Sequence, residues 1–506
     1  MYLLGYDIGS SSIKIAIVEA TTKKTIALQK FPPQEMDIIA MQPNWAEQNP
    51  DLWWDYVCEG TKAILAKANI EKSKIKAIGI AYQMHGLVCV DKNKKVIRNA
   101  IIWCDSRAVN IGNEAFEAIG ELNCLTNLLN SPGNFTASKL AWVKSNEPEK
   151  YAKIYKIMLP GDFIAMKMTD EITTTISGLS EGIFWDFQKN ELSKAVLNYF
   201  DFNENIFPTI KNTFEIQGKL TQNAAEKLGL PPNIPVTYRA GDQPNNALSL
   251  NVLNVGEIAA TGGTSGVVYG VVDKPFFDKK SRVNGFAHVN YTVDNQRIGL
   301  LLCINGAGIQ NSWLKQIAGK DLTYDEINSL AESVPVGSDN LVILPFGNGG
   351  ERVFENQNIG SHISGLYFNR HTNAHLFRAG LEGIAFAFVY GINILKEMGL
   401  EINVLRVGND NLFQSKIFAE TIATLANCTI EIIETTGAIG AAKAAGVGVG
   451  IYKTVTEAVG NTCKKAGYLP DGEVGFESVR PLDDKANYEK AYEKWVGVLK
   501  NNLSIK

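Results

Sequence analysis

Over the first twenty residues the apolar positions form two short runs, Leu3-Leu4 with Tyr6 and Ile13-Ile15-Ala16-Ile17-Val18, parted by Gly9-Ser10-Ser11-Ser12. Alternation around a Gly/Ser turn predicts two strands in a hairpin, with Asp7 at the end of the first. The layout returns at 258–270. Ile258-Ala259-Ala260 enters, Thr261-Gly262-Gly263-Thr264-Ser265-Gly266 turns, and Val267-Val268-Tyr269-Gly270 leaves. The recurrence predicts an internal repeat, one copy near the head of each half.

Between the two copies the pattern switches period. Asn49 and Pro50 suit the start of an amphipathic helix carrying Trp53, Trp54, Val57, Ile64 and Leu65. Apolar runs at 75–81 and 100–102 read as strands that end in Gln83-Met84-His85-Gly86 and Trp103-Cys104-Asp105-Ser106-Arg107. Residues 131–150 read as a capped loop into a helix, and 157–187 as alternating strands and turns. At 236–243 another strand runs into Gly241-Asp242-Gln243, which places a carboxylate on a glycine-permitted turn.

Beyond the second copy, strands are expected at 300–304, 342–346 and 404–407, with a helix bearing Trp313 after the first of them. A buried helix is expected at 375–399 and another helix at 414–426. Residues 437–450 predict a small-residue helix at a tight interface, and the last forty residues a solvated helical cap. The fold class is therefore α/β. The boundary between halves is placed at 245–255, giving domains 1–248 and 249–506.

A chain of 506 residues has room for at least two cores, at roughly 100–200 residues per domain. A net charge of −4, with no long basic run, gives no attraction to nucleic acid or anionic lipid, so a small-molecule partner is expected. The start of the chain has no secretory pattern. The longest apolar stretch, 381–395, is flanked by Arg378, Glu382 and Lys396 and falls short of a membrane span. Seven scattered cysteines without C-x-x-C read as reduced thiols, mostly core filler, and a cytoplasmic protein is expected.

Chemistry concentrates at 236–270. Asp242 at a strand end is placed to act as a base, and the 261–266 turn is able to aim backbone N–H groups at phosphates. A single Gly/Ser turn is more often just a hairpin turn, and a lone histidine such as His85 more often structural. The duplication, with an acid beside one copy, favours a clamp for a polyphosphate. No G-x-x-x-x-G-K-[ST] occurs, no G-x-G-x-x-G follows a strand, and five scattered histidines argue against a zinc site.

Taken in order, Asp7-Ile8-Gly9-Ser10-Ser11-Ser12-Ile13-Lys14, Trp45-Ala46-Glu47-Gln48, Gln83-Met84-His85-Gly86, Trp103-Cys104-Asp105-Ser106-Arg107, Phe135 to Trp142, Gly241-Asp242 and Gly263-Thr264-Ser265-Gly266 resemble the motifs of the FGGY carbohydrate kinases. Within that family the likeness is closest to the xylulokinase branch. The resemblance implies two actin-like, ribonuclease-H-like domains with a cleft between them, closing over ATP, Mg²⁺ and a sugar. Phosphate would go to a terminal primary hydroxyl, as in D-xylulose to D-xylulose 5-phosphate.

By the same resemblance Asp242 is the catalytic base, and Met84, His85, Trp103, Asp105 and Gln243 belong to the sugar pocket. Asp7, with Asp242, holds Mg²⁺ through water. Ser10, Ser11, Ser12 and Lys14 form one phosphate loop and Gly263, Thr264 and Ser265 the other, while Gly306, Gly408 and Asn409 line the nucleotide. Two positions depart from the pattern. Gln243 follows the base where xylulokinases usually have Asn, which keeps ribulose, fuculose, rhamnulose and glycerol open as acceptors. The adenosine loop is reduced to Gly408-Asn409-Asp410-Asn411. An actin-like ATPase and a non-catalytic sugar sensor are the rival classes, and the small-residue helices make a homodimer a reasonable expectation.

Overall fold

The computed structural model describes residues 1–409, 411–460 and 478–504. The first hairpin joins β1 (Tyr2–Ile8) to β2 (Ile13–Glu19), antiparallel with Asp7 opposite Lys14. β3 (Thr25–Phe31) extends the hairpin, and the long helix α1 (Pro50–Ala68) crosses over to β4 (Ile75–Tyr82), parallel to β1. β5 (Pro235–Gly241) lies parallel to β4. The spatial order is β5-β4-β1-β2-β3, with the two-residue strand Gly218–Lys219 outside β5. Asn49 caps α1 by accepting from the Asp51 N–H, and Pro50 opens it as the sequence predicts.

The second half repeats this plan. β6 (Ile258–Gly262) and β7 (Gly266–Val272) form the second hairpin, and β8 (Ile298–Ile304) extends it. β9 (Val404–Gly408) and β10 (Thr429–Ile433) add in parallel beside β6, giving the order β10-β9-β6-β7-β8. Strands Asn284–Ala287 and Ser478–Val479 close the two edges of this sheet. Each half is thus an antiparallel three-strand meander with two parallel strands on the side of its first strand. This is the ribonuclease-H-like plan that the resemblance implies.

Each core ends in a helix at the centre of the molecule. α2 (Asp242–Ser249) follows β5. α3 (Asn373–Glu397) is the counterpart of α1, and α4 (Gly437–Gly448) follows β10. α4 packs on the sheet of the first half, where Ala438, Ala441, Ala442 and Ala445 share one core with Leu3, Val18, Ala77 and Ala240. A Cβ on Gly5 or Gly79 would overlap the carbonyl oxygens of Ala438 or Ala441, so glycine in the strands and alanine in the helix permit backbone-to-backbone contact. α2 and α4 also pack on each other, Gly440 against Ser249. The tight interface expected for 437–450 is the seam between the halves.

Four sequence expectations change. Asp242 sits not on a turn but at the first position of α2. Residues 160–169, read as strands and turns, form a helix, Pro160–Thr169, in which all but Lys167 are buried. With no polar face its period was invisible. α3 spans 25 residues and by length and composition is long and apolar enough to cross a membrane, but Phe377, Ile384, Phe388 and Ile392 are buried inside the protein. The terminal helix α5 (Lys485–Ser504) is not simply a solvated cap, because Trp495 and Leu499 are fully buried and the Trp495 indole donates to the Ile343 carbonyl. Residues 467–477, 505 and 506 of the expected cap lie outside the described residues, as do Cys463 and Asp410. Of the remaining cysteines four are buried, Cys303 is partly exposed and Cys104 is exposed.

Candidate active site

Both hairpin turns converge on α2. Asp7, at the end of β1, and Asp242, at the start of α2, are both partly exposed, and the negative charge of Asp7 acts on Asp242. One turn further along α2, Asn246 donates to Thr261 Oγ1 at the root of the second hairpin (3.0 Å). Asn245 donates to the Gly437 carbonyl at the start of α4 (2.9 Å), and Gly437 approaches Asp7 so closely that a Cβ there would lie 2.6 Å from Asp7 Oδ2. The positive end of the α4 dipole therefore stands beside the acids.

Desolvation, with Asp7 second, pushes the pKa of Asp242 up to about 7, against hydrogen bonds from Gln243 and the charge of Lys14. Burial likewise raises Asp7, which Lys14 opposes. A carboxylate with a pKa near neutrality is matched to proton transfer at neutral pH. Two carboxyl groups that repel each other also suit a hard divalent cation, with the N–H groups of the turns left for anionic oxygens. Mg²⁺ in particular is bound through one or two carboxylates, phosphates and retained water. Among the described residues no group of three or more His, Cys, Asp or Glu is placed to hold a metal ion.

The first turn is held by its own chain and by the 45–48 segment. The Gly9 N–H bonds the Ser12 carbonyl, Gln48 Nε2 donates to the Ser10 carbonyl (2.7 Å), and the Trp103 indole reaches Ser10 Oγ (3.3 Å). Trp103 is half exposed. Asp105, placed with it in the sugar pocket by the resemblance, is fully buried, and its oxygens receive Arg107 (2.6 Å to Nη2) and the Ala46 N–H (2.6 Å). Arg107 stacks on Trp45, 3.7 Å from the ring centroid, and pairs with Glu47 (2.7 Å). The Trp-Ala-Glu-Gln motif is thus a bracket joining the first hairpin to the Trp103 loop, and the Asp105 carboxylate is engaged within it.

Met84 and His85 follow β4 and border the start of α2, since a Cβ on Gly241 would stand 2.5 Å from Met84 Cγ. His85 adopts a positive φ of 62°, a conformation disfavoured for a histidine and found where surroundings impose it. Its Nδ1 lies 3.0 Å from the Glu181 carbonyl, which can only accept, so Nδ1 carries the proton and Nε2 is an acceptor. Burial first, then Lys139, pushes the pKa of His85 down to about 3, and the ring is neutral. Lys139, fully buried, donates to the carbonyls of His85 and Ile102 (3.0 Å each), and burial lowers its pKa to about 7. It ties the loop at His85 to the one that follows Ile102. Lys139 lies within the 135–142 motif, and a lysine amid its apolar positions is the signal the sequence offers.

The second turn has neighbours on either side. Gly308 and Ile309, opening helix Gly308–Ala318, donate their N–H groups to the carbonyls of Gly263 and Thr264 (3.0 and 3.1 Å). Gly306 offers no free N–H to a nucleotide, because Glu351 accepts it (3.0 Å) along with that of Asn305. The backbone of Pro345 passes where a Cβ of residue 306 would be, and that close approach accounts for the glycine. Gly408 ends β9 opposite Ile433, and Asn409 donates to the Ile433 carbonyl (3.2 Å). Ala260 and Val407 are register partners, so 408–409 flank the root of the turn. Arg352, next to Glu351, brings a partly exposed guanidinium from the second half to Phe135, 6.0 Å from the ring centroid. Sequence reasoning assigned neither residue.

Two repeated cores, N–H-rich turns from each and an acid pair between them define a phosphotransferase of the actin-like, ribonuclease-H-like class. Comparison with known proteins makes this specific. Residues 2–249 match the N-terminal domain, and residues 258–449 the C-terminal domain, of the FGGY family of carbohydrate kinases. The chain belongs to that family and is a carbohydrate kinase. It is 26% identical to the xylulose kinase of Haemophilus influenzae, over 98% of this chain and 99% of that one. It is 28% identical to the L-xylulose/3-keto-L-gulonate kinase of Escherichia coli, over 90% of each. The solved ligand-bound xylulose kinase from Lactobacillus acidophilus superposes with a TM-score of 0.88 at 21% identity, over 99% of this chain and 98% of that one.

Proposed function

We propose that the protein transfers the γ-phosphoryl group of ATP to the primary hydroxyl at carbon five of D-xylulose, with Asp242 as general base. The observation that carries this reading is the position of Asp242. It begins α2 with a pKa near 7, borders Met84 on one side, and through Asn246 is tied to the second phosphate turn on the other. A hydroxyl seated there loses its proton to Asp242 as its oxygen attacks in line. The sugar is oriented by His85 Nε2, an acceptor for a hydroxyl, and by the exposed face of Trp103. Phosphoryl transfer asks the protein mainly for positioning and for stabilisation of spread negative charge.

Here the charge stabilisation falls to the N–H groups of the 10–12 and 263–265 turns, the Lys14 ammonium and the α4 terminus. Asp7 and Asp242 would hold Mg²⁺, which when bound neutralises charge on the phosphates. Gln243, bonded through its side chain to Asp242, orients the base. Release of ADP from ATP-Mg²⁺ against a panel of D-xylulose, L-xylulose, ribulose, fuculose, rhamnulose, glycerol and 3-keto-L-gulonate, with a no-acceptor control, tests the reading. Strongest stimulation by D-xylulose is expected. Stimulation by another acceptor moves the substrate, and acceptor-independent turnover overturns the kinase mechanism.

A further inference from the structure

Beside the acceptor end of the cleft lies a carboxyl that nothing above employs. Glu181 ends the short helix Ile176–Glu181, whose other polar side chains are bound: Ser177 Oγ donates to the Ala287 carbonyl (2.9 Å), and Ser180 Oγ donates to the Ser177 carbonyl and receives the Ala287 N–H. Thr175 caps the helix start. Glu181 itself is 1% exposed, and neither oxygen has a hydrogen bond of sound geometry within the protein. The Tyr82 hydroxyl is close enough to interact with one carboxyl oxygen, and His85 Nδ1 lies 4.0 Å from Oε2 but is aimed at the Glu181 backbone carbonyl. The carboxyl lies against the residue that precedes the base, since a Cβ on Gly241 would stand 2.8 Å from Oε2, with the Met84 thioether alongside.

With Tyr82 as its one side-chain partner, this buried carboxyl keeps hydrogen-bonding capacity that the protein does not fill, and a leucine or methionine at 181 would avoid the cost. Such a group is explained when a ligand completes it. The residues around it are Met84, His85 and Gly241, which are also those around the acceptor. We propose that the Glu181 carboxyl belongs to the acceptor pocket and bonds one hydroxyl of the sugar, reached when the sugar displaces the flexible Met84 thioether. The inference rests on the reading of Asp242, Met84 and His85 as the acceptor end of the cleft. Burial first, with the charges of Asp242 and Asp162, raises the Glu181 pKa well above the usual carboxylate range; a carboxyl accepts from a sugar O–H and, when protonated, also donates to a sugar oxygen. It would separate acceptors by the presence of that hydroxyl, because a pocket built around a hydroxyl discriminates strongly against an analogue lacking it.

The test measures acceptor KM and ATP KM for wild type, Glu181→Ala and Glu181→Gln, with the preferred sugar and its monodeoxy analogues, and acceptor affinity by calorimetry without nucleotide. Glu181→Ala is expected to raise acceptor KM and Kd about tenfold or more with ATP KM unchanged, while Glu181→Gln, neutral and of the same shape, recovers most of the loss. One monodeoxy sugar should be weakened in wild type and lose nothing further in Glu181→Ala. An acceptor KM within about twofold of wild type in folded Glu181→Ala, or equal weakening of every analogue, overturns the proposal. If Glu181→Ala fails to fold, Glu181→Met, closer in volume, is read by the same outcomes. A wild type that uses no sugar defeats the kinase reading itself, whereas an active wild type with an indifferent Glu181 variant defeats only this inference.

Discussion

The two hairpin turns occupy equivalent places in two copies of one fold, yet they are equipped differently. The first carries an acid and a base on facing strands, Asp7 opposite Lys14, and is braced by Gln48 and Trp103. The second carries no charge. It is glycine and hydroxyl throughout, tied to α2 by Thr261 and to helix Gly308–Ala318 by its own carbonyls. The shared backbone follows from packing, because a meander with two parallel strands buries the same apolar alternation in either half. The difference is chemical. In the proposed mechanism the first turn supplies Asp7, the second acid beside Asp242, and the other supplies only backbone N–H groups for phosphates.

Breaking the seam between the copies should have the largest effect. Gly5→Val places a side chain where the α4 backbone lies, and overpacking against backbone should destabilise the protein by about 3 kcal/mol or more, read as loss of folded protein in denaturant unfolding. The turns themselves should then separate. Asp7→Asn is expected to lower kcat about 10²-fold, as loss of one electrostatic partner of a reacting group does. Thr261→Val removes one neutral hydrogen bond, worth about 1 kcal/mol, and should change kcat only a few-fold. Steady-state kinetics check both, and equal effects would erase the distinction between the turns.

His85→Ala sharpens the assignment of sides. Acceptor KM should rise about tenfold with little change in ATP KM, as loss of one well-placed contact allows. A smaller effect concerns stability. The raised pKa of Asp242 means that the folded protein binds more protons than the unfolded chain from about pH 4 to 7, so this group's contribution to stability falls as pH rises through 7. In metal-free protein at pH 8, Asp242→Asn should therefore raise Tm, which calorimetry checks. A lowered Tm would mean that the carboxylate is stabilised in the fold.

Much of this contrast is legible in the chain. The repeat of alternating runs around small-residue turns marks both hairpins, and the small-residue run at 437–450 marks the seam. One cause of what stayed hidden is burial without a polar face. Helix Pro160–Thr169 has no solvent side from which to read a period, and α3 resembles a membrane span by composition for the same reason. The turn expected at Asp242 proved to be a helix because Gly241 and Asp242 fit a helix start as well as a turn. At the site, Asp242, Asp7, Met84 and His85 come together beside α2. Asp105 is taken up by Arg107 within the same Asp-Ser-Arg turn, and the N–H of Gly306 by Glu351, 45 residues away, a partner that no local pattern announces. Lys139 is bonded, and Glu181 is placed beside Gly241, only by tertiary structure.

The most direct test of the central claim is turnover by Asp242→Asn beside its nucleotide affinity. With saturating acceptor and ATP-Mg²⁺, kcat should fall by about 10²–10⁴-fold, the usual contribution of a general base, while ATP Kd by calorimetry stays within about threefold of wild type. Near-wild-type turnover in folded Asp242→Asn would contradict the account.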